Sequence, residues 1–374
     1  MPTKQPLSRT LSLRRVLRNR RTVAEIQPRP GEYDVPRDPP ATTIGGDGGY
    51  TPGWFHRSPG AIAGSVQPRS RRFHRWFFVH FDTPEYFVSA NLIDLYVGGN
   101  VGIVVLDKRT GKFRLGTDSG LWFRNFVEIT PDCREFRDRR ANRFIRVSED
   151  DGRIEFDVVA EGLALRGIAR AHMQPFVQTT AFEPGLGTHQ QWGNMILDSG
   201  QVEFDGRRVD LPAGCPGAYD RSFGHRRLLE NWNWIVACGS AKTARGAVVP
   251  FALHAAHDRS LARPIVDGRK YVLWVGEHFL KLPRLSFDYR YVDMRTLDTT
   301  GWTIRTSREA ADGAFVDLRF DARFHRRERV KVPLVFDVDH SNYFGALNGE
   351  IGVGRDRFVV TDVFAATEDS MMVI

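Results

Sequence analysis

From Arg72 to its C-terminus this chain alternates apolar and polar side chains in short runs closed by turn residues. Phe315 to Phe324 is the clearest run: Val316, Leu318, Phe320, Ala322 and Phe324 alternate with Asp317, Arg319, Asp321 and Arg323. A period of two sends successive side chains to opposite faces of an extended strand, so the run predicts one dry face and one wet face. Ile154, Phe156 and Val158 alternate in the same way with Arg153, Glu155 and Asp157. Between such runs stand Asp151-Gly152, Asp205-Gly206, Asp267-Gly268 and Asp312-Gly313. Asp-Gly accepts the positive φ of a type I′ turn, which predicts antiparallel hairpins in sequence order, a meander. Long capped helices alternating with strands are missing, and a parallel sheet is thereby excluded. An all-β chain of this length exceeds one simple sandwich, so the expectation is two consecutive antiparallel β-barrels or sandwiches. Their boundary is expected where Leu211-Pro-Ala-Gly-Cys-Pro-Gly217 interrupts the pattern, giving domains at 73–216 and 217–374.

The net charge of +8 suggests nucleic acid until it is located. Residues 1–72 carry 13 Lys and Arg against 5 Asp and Glu, which leaves 40 of each sign in the other 302 residues. The folded part is neutral, so no nucleic-acid face is expected. The first 72 residues also hold ten of the twenty prolines and read as a largely disordered basic extension. Within it, Ser12 to Arg21 sets Leu13, Val16 and Leu17 at helical spacing among arginines. That piece is either a solvated tail or a weak contact with a membrane surface. No secretory h-region and no apolar run of membrane-spanning length is present, and Cys133, Cys215 and Cys238 form no CxxC pair. A cytoplasmic protein, peripheral to the membrane at most, is expected.

Nucleotide loops, HExxH and GxSxG are missing, and neither metal nor cofactor is expected. His254 and His257, three apart, would face opposite sides of a strand. Polar chemistry concentrates instead between Gly217 and Gly239, in GAYDRSFGHRRLLENWNWIVACG. If Asn231 to Cys238 is a strand, Asn231, Asn233 and Ile235 share one face while Trp232, Trp234 and Val236 share the other. An amide wall orients a polar group; an indole wall packs an apolar or cationic one. Asp220 lies just upstream with Tyr219, Arg221 and His225. In an aromatic setting its carboxyl would stay protonated as a general acid, whereas Arg221, Arg226 or Arg227 could pair with it and keep it ionised. Two further polar–aromatic groups, His189-Gln190-Gln191-Trp192 and Asp339 to Phe344 with Tyr343, suit the mouth of a barrel. Asp339, His340 and Ser341, being consecutive, do not make a triad.

Arg75-Trp76, Ile93-Asp94-Leu95, Tyr219 to Gly224, Asn231 to Trp234, Ala311 to Phe320 and Phe344 to Gly349 occur as an ordered set. In them the chain resembles the family called domain of unknown function 2804, over most of residues 73–374. More distantly it is similar to the lipocalin-like carotenoid hydratase and AttH group, with two consecutive β-barrels. That resemblance implies hydratase or cyclase chemistry on isoprenoid or polyketide substrates. The hydratases have Tyr-His-Asp followed by Asn-Trp-Gly; here Tyr219-Asp220 lacks the histidine and Asn233 replaces the glycine. The resulting expectation is an apolar isoprenoid- or lipid-like ligand held between the barrels. Asp220 would protonate a double bond, Trp192, Trp232 and Trp234 would face the cation, and Asn231 or Asn233 would place water. A non-catalytic lipid carrier using the same cavity is the alternative.

Overall fold

The structure, a computed structural model, describes residues 36–45, 48–58, 61–63, 72–95, 98–121, 126–130, 133–141, 143–148, 151–258, 270–283, 285–293, 296–306, 314–332 and 336–373. Among these, every regular element is a β-strand, and they form a 14-stranded sheet, a 9-stranded sheet and a two-stranded one. Ser12 to Arg21, Asp267-Gly268 and Asp312-Gly313 lie outside the described residues.

The alternation is realised as expected. Strand Arg153–Ala160 buries Ile154, Phe156, Val158 and Ala160 and turns the residues between them outward. At Asp205-Gly206 both residues take positive φ, 51° and 69°, and join Phe204 to Arg207 in a hairpin. One residue of the 315–324 run departs from strict alternation. A register shift between Ala322 and Phe324 carries Phe324 to the opposite face, because one extra residue inverts every side chain after it. Gly345 accommodates the shift, since a Cβ there would stand 1.9 Å from the Asp321 carbonyl oxygen.

The two large sheets share one plan. In the first, strand Phe73–Asp82 leads a meander and pairs with its last strand, Pro216–His225. In the second, Leu229–Thr243 leads and pairs with the last strand, Asp356–Val373. Joining first to last rolls each sheet around its own core, with Phe77, Val79, Phe136, Phe156 and Leu165 in one and Ile235, Leu253, Leu273, Trp302 and Phe320 in the other. The change of sheet therefore comes between His225 and Leu229, some ten residues after the expected boundary. The strand Pro216–His225 follows the Pro/Gly interruption yet completes the first sheet. Part of the expected extension also joins the fold: Gly53–Phe55 pairs with Phe176–Glu183, and Trp54 and Phe55 are buried.

A third apolar cluster lies between the rolled sheets, where Trp54, Phe87, Phe176 and Trp192 meet Trp234, Val272, Trp274 and Phe344. Phe87 touches Phe344 at 5.1 Å, Trp192 meets His254 edge-on at 5.5 Å, and Trp274 Nε1 donates to the Gln174 carbonyl at 2.9 Å. No helix among the described residues is long and apolar enough to cross a membrane.

Candidate functional site

Strand alternation deals the predicted residues into three compartments. On Pro216–His225 the odd positions face the interior of the first barrel and the even positions face the second sheet. Tyr219 and Arg221 therefore point inward, joined by His189 and Gln191 from the neighbouring strand. Gln191 Nε2 donates to Tyr219 Oη at 2.9 Å; Arg221 donates to Gln191 Oε1, to Ser58 Oγ at 2.8 Å and to the Cys133 carbonyl at 3.2 Å. His189 bonds Thr179 Oγ1 at 2.9 Å and Ser58 Oγ at 3.3 Å, and stacks on Phe223. Burial, helped by the Arg221 charge, pushes His189 down to about 3, so this imidazole is neutral. His225, at the strand's end, meets Tyr50 Oη at 2.8 Å through Nδ1. This group is densely partnered, and it stands on the far side of the sheet from Asp220.

The amides expected to place water are also elsewhere. Asn233 faces the interior of the second barrel, where its Nδ2 donates to Tyr289 Oη at 3.1 Å. Asn231 shares its parity on the strand. Tyr289 donates to Asp369 at 2.6 Å, and Tyr291 donates to the same carboxylate. Tyr343 lies in this compartment, stacked on His325 at 4.5 Å and donating to the Leu297 carbonyl.

What remains faces the layer between the sheets. Asp220 sits in register between Trp192 and Phe78, with Trp76 one pair further along the leading strand. Asp220 is 9% exposed as a residue, and its Oδ1 is buried with no hydrogen bond of ordinary geometry. Arg221 is out of reach across the sheet. Arg226 does share the face, but it pairs with Glu230 at 3.0 Å, lies over the Trp76 ring at 4.0 Å and donates to Ser222 Oγ at 3.3 Å. Burial therefore dominates: Asp220 is raised to about 7, with the Trp76 and Trp192 indole N–H groups and the Arg226 charge drawing it down and Glu368 pushing it further up. A carboxyl in this state holds its proton near neutral pH.

From the second sheet, Trp232 and Trp234 enter this layer as the alternation predicts. Trp234 meets Phe78 at 6.0 Å. Trp232 Nε1 donates to Glu368 Oε2 at 3.0 Å, and His340 Nε2 approaches Glu368 Oε1 at 3.3 Å. His340 Nδ1 in turn meets Ser370 Oγ at 2.8 Å. Burial alone would raise Glu368, but the His340 charge and hydrogen bond and the Trp232 N–H outweigh it and hold the carboxyl below its usual range. Deeper in the layer, His254 is 0% exposed, with neither ring nitrogen hydrogen-bonded and Trp192, Trp234 and Trp274 edge-on around it. Burial, with His80 nearby, holds it neutral. His257 turns to the other face, onto Tyr271 Oη at 2.8 Å.

Glu368 and His254 were not expected in this site, while His340, within the Asp339 to Phe344 group, and Trp76 stood in the motifs without a role of their own. The available signal was parity: His340, Asn342 and Phe344, like Ala366, Glu368 and Ser370, alternate with residues of the second barrel's interior. The Asp339-His340-Ser341 tripeptide makes no triad of its own, since His340 finds its carboxylate and hydroxyl on the adjacent strand, with Ser370 directly opposite it.

The fold recurs in solved structures. Kievitone hydratase from Nectria haematococca superposes with a TM-score of 0.50 at 16% identity, over 80% of this chain and 88% of that one. CghA with Sch210972 superposes with a TM-score of 0.51 at 11% identity, over 83% and 93%. At these identities the likeness establishes the shared fold of two lipocalin-like β-barrel domains. No curated protein sequence is similar enough to count as a relative. A family model described as "Domain of unknown function (DUF2804)" matches residues 44–373, nearly all of the folded chain, and the protein belongs to that family.

Proposed function

We propose that the protein is an acid-promoted hydratase or cyclase. Its substrate is an apolar isoprenoid- or lipid-like molecule lying against the layer between the sheets, and Asp220 is the proton donor. The observation that carries this reading is a buried carboxyl, raised to about 7 and in no ion pair with an arginine among the described residues, set among Trp76, Trp192 and Phe78. A protonated acid in an aromatic setting can deliver its proton to a double bond, and the indole faces stabilise the cation that forms. Trp232 and Trp234 add indole surface from the opposite sheet. Trp76, Phe78 and Trp232 are half-buried, so the aromatic edge of the site meets solvent. The two solved relatives of this fold named above include one whose name is that of a hydratase, which agrees with the reading.

The test uses the full chain with farnesol and a prenylated phenol in H2(18)O. Wild-type protein yields an alcohol carrying 18O, while Asp220→Asn yields none yet still has its tryptophan fluorescence quenched by the probe. Quenching without product from wild type would instead mark a carrier.

A further inference from the structure

The wall opposite Asp220 carries its own chemistry. Phe78, in register with Asp220, touches Trp234 across the layer, and Trp234 is in register with Glu368. Each carboxyl is thus one cross-strand neighbour away from the same ring contact. Glu368 is fixed at both oxygens, by Trp232 Nε1 at 3.0 Å and His340 Nε2 at 3.3 Å, and the Ser370 hydroxyl at 2.8 Å orients the imidazole from behind. The side chains of Glu368 and His340 are 18% and 22% exposed, so solvent or a ligand can reach them. The arginines beside the two carboxyls are paired. Arg226 pairs with Glu230 beside Asp220, and Arg326 pairs with Glu328 beside His340.

We propose that Glu368 is the proton acceptor working opposite Asp220, with His340 and Ser370 as positioning residues, so that the layer between the sheets takes its acid from the first sheet and its base from the second. This rests on Asp220 being the donor. In a hydration, the Asp220 carboxyl transfers its proton to one alkene carbon, the π bond breaks, and the neighbouring carbon becomes cationic. Water oxygen bonds to that carbon and Glu368 takes a water proton. The product alcohol leaves with Asp220 ionised and Glu368 protonated, and solvent carries the proton from Glu368 back to Asp220. In a cyclisation a substrate hydroxyl replaces water and loses its proton to Glu368. The preferred substrate therefore carries an alkene and, for ring closure, a hydroxyl within reach of it. The opposite displacement of the two carboxyls supports the division of roles.

The same 18O assay tests this. Glu368→Gln is expected to lose on the order of 100-fold or more in turnover, with probe quenching unchanged. Wild-type turnover should fall on the acid side as Glu368 takes up a proton and on the alkaline side as Asp220 loses one. Residual turnover in Glu368→Gln should keep the alkaline limb and lose the acid limb. His340→Phe should move the acid limb to higher pH, which a purely structural role would not do. Full turnover in Glu368→Gln with its acid limb intact would overturn the inference and leave Asp220 standing. Failure of wild-type protein to form product would remove the Asp220 reading and this one together. A substrate-free check is 13C-carboxyl NMR: losing the Glu368 charge should lower the Asp220 midpoint by about half a unit, and an unmoved midpoint would show that the two do not face each other across the layer.

Discussion

One strand, Pro216–His225, presents two opposite kinds of polar surface. On its inner face Tyr219 and Arg221, together with His189 and Gln191, form a bonded group inside a barrel. On its outer face Asp220 and its neighbours leave Asp220 Oδ1, Trp192 Nε1, Trp234 Nε1 and both His254 nitrogens without a hydrogen bond of ordinary geometry, against Arg221 Nε on the inner face. The two faces are similarly buried, so exposure does not separate them. Satisfaction does. Buried polar groups are ordinarily paired, and each one left open costs stability. The inner face is bonded as part of the barrel; under the proposed function the outer face is the one that meets substrate.

The sharpest way to break this comparison is to exchange one residue from each side. Asp220→Asn should lower turnover by roughly 10²–10⁴-fold, the range for a lost general acid. Arg221→Met, on the inner face of the same strand, should leave the turnover of folded protein within a few-fold. Steady-state rates normalised to folded protein decide it, and equal losses would mean that the faces are not divided as argued.

Arg221→Met should show its effect in stability instead. It removes charge-assisted bonds to Ser58 and Gln191 in a setting with 1% exposure. A cost of about 2–4 kcal/mol is expected, read as a lower midpoint in urea. A change under ~0.5 kcal/mol would show that the inner network does not hold the barrel.

The pattern of two kinds of face was partly legible beforehand. Period-two alternation with Asp-Gly turns was enough for two antiparallel barrels, and the amide and indole faces of Asn231 to Trp234 sort as parity requires. Parity cannot say which face meets the other barrel. Asp220 and Arg221 look like ion-pair partners in the sequence only because adjacency along a strand hides that they point apart. Likewise His340, Glu368 and Ser370 meet through register between strands almost thirty residues apart, which no local pattern encodes. The Phe324 inversion depends on a bulge opposite Gly345, again a tertiary fact.

Stability against pH separates the faces next. The folded-state pKa of Asp220 is raised from 3.8 to about 7, so between those values the folded protein holds a proton that the unfolded chain has released. Its contribution is favourable at low pH and is lost as pH rises through that window. Asp220→Asn, neutral throughout, should therefore be more stable than wild type at pH 8 by on the order of 2–4 kcal/mol, and the difference should vanish near pH 4. Thermal melts of both proteins across pH 4–8 give the answer. A constant offset would mean that Asp220 ionises in the fold as freely as in water.

The smallest effect is the most direct test of satisfaction. His254 and His189 are both fully buried and both held neutral, yet His189 has two hydrogen-bond partners and His254 has none. At pH 8, His189→Leu should cost about 1–2 kcal/mol for the lost bonds, whereas His254→Leu should fall within ~1 kcal/mol of wild type or exceed it. Below pH 6.5 the unfolded chain protonates its histidines while these two resist, so each wild-type imidazole draws stability away as pH falls. His254→Leu should then gain on wild type toward pH 5. Equal costs at pH 8 would erase the distinction between the faces, while a His254→Leu variant that folds well but no longer lets a probe quench the tryptophans would extend the ligand-facing surface inward from Asp220 to the centre of the layer.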